Sequence, residues 1–75
     1  MDIKEFIEKI SEQFEDTDPA EITTTTEFKN LDEWSSLTAL SIIAMVDEEY
    51  DIQLNGDDLR RANTIEDLYN IVKSK

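Results

Sequence analysis

Two adjacent serines, Ser35 and Ser36, stand at the head of a well-marked helical run, LTALSIIAMVDEEYD. A hydroxyl at a helix entrance has two uses. It can accept from the free N–H groups of the first turn as an N-cap. It can also carry a phosphate, which those N–H groups and the positive end of the helix dipole favour. An unactivated serine is a poor nucleophile, so a reaction at Ser36 needs another protein to do the activating. Spacing alone leaves both uses open, and either serine can serve as the cap.

Other chemistries lack their parts. The chain has no histidine and no cysteine, so no Ser–His or Cys–His pair can form, and zinc loses its usual ligands. A single glycine rules out a glycine-rich phosphate loop. With 19 acids in 75 residues, paired carboxylates are unavoidable, and most belong to a solvated face. Residues 47–58 invite comparison with a calcium loop, but Tyr50, Ile52 and Leu54 stand where oxygen ligands are required. No metal site is expected.

The elements that must position Ser36 follow from apolar periodicity. The run over 34–51 predicts a central helix with two apolar stripes. At roughly 100° per residue, Ala39, Ile42, Ile43, Val46 and Tyr50 cluster on one side as the core stripe. Leu37, Leu40 and Ala44 cluster on another, flanked by Asp47 and Glu48, with Ser36 between the two groups. The second stripe is either a docking surface or a patch covered by Trp34 and the preceding loop.

Before this helix, Ile3, Phe6, Ile7, Ile10 and Phe14 repeat at helical spacing, predicting an amphipathic helix over 2–14 with Asp2 and Glu5 as a capping box. Residues 15–33 have no sustained period. There Asp18-Pro19 opens a short turn anchored by Ile22, Thr23 to Thr26 reads as extended loop, and Phe28, Leu31 and Trp34 pin the loop to the core. After the central helix the chain turns at Asn55-Gly56, and 57–61 forms one helical turn with Leu59 inward. Thr64 with Asp67 starts a last helix that buries Ile65, Leu68, Tyr69 and Val72, while Lys73 and Lys75 suit its C-terminal dipole. The fold class is all-α: a small bundle of three main helices and one short one, with a long loop between the first two. A single domain over residues 1–75 is expected.

Ser36-Leu37, followed by TALSIIAMVDEEYDI, resembles the modification motif and second helix of acyl carrier proteins. That family's pattern is Asp-Ser-Leu, then a helix ending in acids and an aromatic, here Asp47-Glu48-Glu49-Tyr50. The resemblance extends through the first helix, the loop with Phe28 and Leu31, the short helix and the last helix opened by Thr64-Ile65-Glu66-Asp67-Leu68. It implies that Ser36 takes 4'-phosphopantetheine as a phosphodiester from coenzyme A, attached by a separate phosphopantetheinyl transferase. The arm's terminal thiol would hold acyl groups as thioesters, so a chain without cysteine would do thiol chemistry without being an enzyme. Leu40, Ala44, Asp47 and Glu48 match positions where the family meets enzymes with basic docking surfaces, and Leu37 adjoins them. The chain departs from the pattern at Ser35, where Asp is usual, and at Thr38 and Ser41, where acids are common. The thinner acidic collar leaves open a housekeeping fatty-acid role or a specialised lipid or polyketide pathway. Three alternatives stand beside this reading: an amino-acyl or peptidyl carrier, an acidic interaction module whose Ser36 is only a cap, and Ser35 as the modified residue.

The balance of 19 acids against 7 bases, net −12, sets the choice of partner. Nucleic acid and anionic membranes are excluded, because binding them needs clustered Lys and Arg. No apolar run reaches membrane length and MDIKEF lacks a signal-peptide core, so a cytoplasmic monomer is expected. So much like charge on a small body destabilises its compact state. Added salt should therefore raise the melting temperature; melting that ignores ionic strength at neutral pH would rule out repulsion as a limit on stability.

Overall fold

The first apolar stripe folds as α1, Ile3–Ser11, in the computed structural model, which describes residues 2–75. Asp2 caps it by accepting from Lys4 N at 3.1 Å, but the return bond from Glu5 that a full capping box needs does not form. The helix stops three residues earlier than the stripe suggests. Its exit tightens into shorter bonds, with Gln13 N donating to Ile10 O at 2.9 Å and Phe14 N to Ser11 O at 3.1 Å. That tighter turn swings Phe14 into the core, where it is fully buried.

The connection to the next α-helix contains two 3₁₀ turns, Pro19–Glu21 and Phe28–Asn30. The first is capped by the Asp18 carboxylate on Ala20 N, as the Asp-Pro pair suggests. The second has no side-chain cap, only the buried ring of Phe28. Thr23 to Thr26 is a bend instead of an extended run. Its Thr26 hydroxyl accepts from Thr23 N and donates to Glu21 O. The carbonyls of Thr24 and Thr26 accept from Glu66 N and Ile65 N, at 3.0 and 3.1 Å. The run thus finds no strand partner and instead satisfies donors that a helix start leaves free.

The remaining helices are α2, Ser36–Tyr50, α3, Gly56–Arg61, and α4, Ile65–Lys73. Among the described residues there are four α-helices and no strand, three of them long and one short. None is long and apolar enough to cross a membrane. Their inner faces meet in one core, with the Phe6 ring near Tyr50 and Tyr69, at centroid distances of 6.3 and 5.6 Å. Each side chain fully buried in this way contributes about 1.5–3 kcal/mol relative to exposure.

Asn55-Gly56 is a helix start more than a turn. Asn55 Oδ1 accepts from Asp58 N at 2.9 Å, Asp58 Oδ2 accepts from Asn55 N at 3.1 Å, and Gly56 keeps an ordinary negative φ. Thr64 and Asp67 form the same reciprocal box at the start of α4. Asp58 does more. Its side chain is only 2% exposed, and it also receives Arg61 Nη2 at 2.7 Å and Lys75 Nζ at 2.9 Å. Lys75 therefore reaches back to α3 instead of serving the α4 dipole, while Lys73 lies over the Tyr69 ring.

The Lys75 ammonium, helped by the Asn55 N–H and Arg61, holds the Asp58 carboxyl below the usual carboxylate range against the opposing pull of burial. A depressed folded-state value gives stability that is complete above the unfolded value of about 4 and is lost as pH falls through the folded one. Asp58→Asn should cost about 2 kcal/mol at neutral pH. Lys75→Gln should cost less, since Arg61 still reaches Oδ1. The gap between wild type and Asp58→Asn in denaturant melts should close as pH drops below about 4; a gap that stays constant with pH would mean the charge on Asp58 contributes nothing.

Candidate functional site at the N-terminus of α2

The entrance of α2 is built by four residues. Ser35 is extended, at φ −158° and ψ 175°, and its Oγ accepts from Thr38 N at 3.3 Å. Ser35 is thus the N-cap, with the geometry that serine caps use. Thr38 is buried, only 9% exposed, and its hydroxyl donates to Glu33 O at 2.8 Å. The Glu33 carboxylate accepts from Asp16 N and from the Thr17 hydroxyl, closing the loop on itself. The Thr17 hydroxyl, with the Asp16 N–H, holds that carboxyl below its ordinary range.

Ser36 falls one step inside, as the first helical residue. It is exposed, and among the described residues its hydroxyl has no hydrogen-bond partner. The backbone N–H groups of Ser36 and Leu37 also meet no acceptor among the described residues. The hydroxyl is therefore not a cap; Ser35 does that work. The arrangement can hold a phosphate ester: an uncommitted oxygen carries it, and two free donors lie at the same positive end of a helix of 15 residues.

The two apolar stripes of α2 separate as expected, with one shift of phase. Ile42 and Val46 are buried, whereas Ala39, Ile43 and Tyr50 are half-buried. Thr38 and Met45, which the apolar pattern passed over, complete the inner face. The burial centre is thus displaced toward residues 38, 42 and 45, a spacing visible in the sequence only if a threonine is allowed as a core residue. The Tyr50 hydroxyl is buried without a hydrogen-bond partner among the described residues, and burial pushes its ionisation up.

Leu37 is 77% exposed and Leu40 61%, and they are the exposed large apolar side chains among the described residues. Neither Trp34 nor the loop covers them. Ala44, Asp47 and Glu48 are exposed beside them. Glu49 is different, since it pairs with Lys9 of α1 at 3.2 Å and raises the Lys9 ionisation. Only two acids of the run Asp47-Glu48-Glu49 are therefore free to face a partner. Thr38 is no part of an outward collar; Ser41 is exposed.

On its other side Ser36 borders an open groove of about 560 Å³ between α2, α3 and the loop. Trp34, Ala39, Leu40, Ile43 and Leu59 supply its apolar lining, and Lys29 and Arg60 its cations. Among the described residues no group of acids is placed to hold a metal ion.

The two serines should separate in a stability measurement. Ser35→Ala removes the cap and should cost about 1 kcal/mol. Ser36→Ala removes a hydroxyl without a partner and should change stability by less than about 0.5 kcal/mol. Equal losses in thermal melts would mean that Ser36 shares in capping.

The family described as phosphopantetheine attachment site matches residues 4–72. No curated protein and no solved structure matches the chain at a significant level. Since the family match runs from the first turn of α1 almost to the end of α4, across every element that frames the exposed serine, the chain belongs to the phosphopantetheine attachment-site family, whose members carry 4'-phosphopantetheine covalently.

Proposed function

We propose that this carrier domain takes its arm on Ser36 and holds acyl intermediates for fatty-acid or related specialised lipid biosynthesis. The observation that carries the choice of serine is the division of labour at the α2 entrance. Ser35 Oγ is spent on Thr38 N, while Ser36 Oγ is exposed and uncommitted. Once bound, the arm supplies a terminal thiol for acyl attachment. In the loading reaction, Ser36 Oγ bonds to the phosphorus of coenzyme A nearest the pantetheine as the pyrophosphate P–O bond breaks. The nucleotide leaves as the bisphosphate, and the serine proton passes to a base of the transferase. The carrier itself contributes no base, consistent with its lack of histidine and cysteine.

Partner enzymes meet the outward face of α2. Leu37 and Leu40 offer an apolar contact directly beside the serine, where a partner buries them at least solvation cost. Asp47 and Glu48 steer basic surfaces toward it. The work is that of a monomer in the cytoplasm, and the apolar groove beside Ser36 favours acyl over amino-acyl cargo.

Incubation with coenzyme A and a broad-specificity phosphopantetheinyl transferase, followed by intact and peptide mass spectrometry, should give one phosphopantetheinyl adduct on Ser36. Ser36→Ala should abolish it and Ser35→Ala should retain it. Absence of any adduct would overturn the carrier reading for this chain, and an adduct on Ser36→Ala would move the site to Ser35.

A further inference from the structure

We propose that Lys29 is a positioning residue for the arm, pairing with the phosphodiester on Ser36 so that the pantetheine chain lies in the groove between α2 and α3. This rests on Ser36 as the attachment point. Three observations carry it. Ser36 and Lys29 line the same groove, so an arm rooted on the serine starts at its edge. None of the residues lining that groove is acidic, although 19 of the chain's 75 residues are. On a body of net −12, this groove offers two cations, and among the described residues the one carboxylate bonded to either of them, Asp57, pairs with Arg60.

The third observation is how the cations are matched. Arg60 is paired with Asp57, Arg61 and Lys75 with Asp58, and Lys9 with Glu49. Lys29 is partly buried and its Nζ donates to the Arg60 carbonyl at 2.9 Å, but no carboxylate pairs with it among the described residues. With Arg60 neutralised, the groove keeps one unbalanced positive charge. A phosphodiester brings one negative charge. The match is one to one, and the apolar lining from Trp34 to Leu59 suits the uncharged remainder of the arm.

The test compares apo and holo protein, loaded with coenzyme A by a transferase, for wild type, Lys29→Met and Lys29→Arg. Holo wild type should melt about 2–5 °C above apo at low salt, and the increment should shrink as salt is raised. Lys29→Met should abolish it and sharpen the phosphorus-31 resonance of the phosphodiester, whereas Lys29→Arg should keep both. Comparing holo with apo within each variant removes any loss from the Arg60 contact. An increment and line width unchanged in Lys29→Met would overturn the proposal and leave the arm free in solvent. An increment seen with a glutaryl-loaded arm but with neither the bare nor the pentanoyl-loaded arm would also overturn it, assigning Lys29 to a cargo carboxylate. Failure to form the adduct would instead remove the carrier reading on which this one stands.

Discussion

Thr38 donates its hydroxyl proton to the Glu33 carbonyl while its own N–H is taken by Ser35 Oγ. That part-buried pair of bonds sets the first residue of α2, and the chemistry depends on where that residue falls. Were the helix to begin one position later, Ser36 would become the cap and its oxygen would be committed to a backbone donor. The loop depends on the same point, since Glu33 is bound to Thr38 through its carbonyl and to Asp16 and Thr17 through its carboxylate. One short segment thus closes the loop and frames the serine.

The distribution of charge follows a second economy. With 7 bases against 19 acids, each cation has a consequential place. Arg61 and Lys75 neutralise Asp58, the one carboxylate of the inner layer, and so tie α3 to the residues after α4. Lys9 withdraws Glu49 from the outer face of α2 and ties α1 to it. The acids left unpaired face outward, where solvent screens them. Two of these ion pairs thus cross between elements, Lys9 with Glu49 and Lys75 with Asp58.

Much of this was legible in the sequence, and the exceptions have physical reasons. The stripes of α1 and α4 were plain because each is apolar on one face and charged on the other. The capping box of Thr64 and Asp67 was readable because its two members are local and its geometry fixed. Asp58 was not, since nothing in composition separates one buried acid from eighteen others; burial is decided by Lys75, seventeen residues away. The threonine run is a loop without a strand partner, as its sequence suggests, but β-branching does not say that it turns or what its carbonyls meet. Phe14 is buried as its spacing predicts, but a tightened turn after α1, not a further helical turn, brings it in. At the site, the exposure of Leu37 and Leu40 needed the fold to decide, and which serine caps α2 needed the helix boundary.

Trp34 has so far been a piece of wall. It is the chain's single tryptophan, half-buried, set edge-on to Phe28 at a centroid distance of 5.4 Å, and it borders the groove beside Ser36. An indole's emission follows the polarity of what lies against it, and with no second indole there is no background to subtract. The protein therefore carries its own optical reporter at the place where an arm would rest. Whether that place is filled by solvent, by pantetheine or by an acyl chain is written in the colour of its ultraviolet fluorescence, without any label being added.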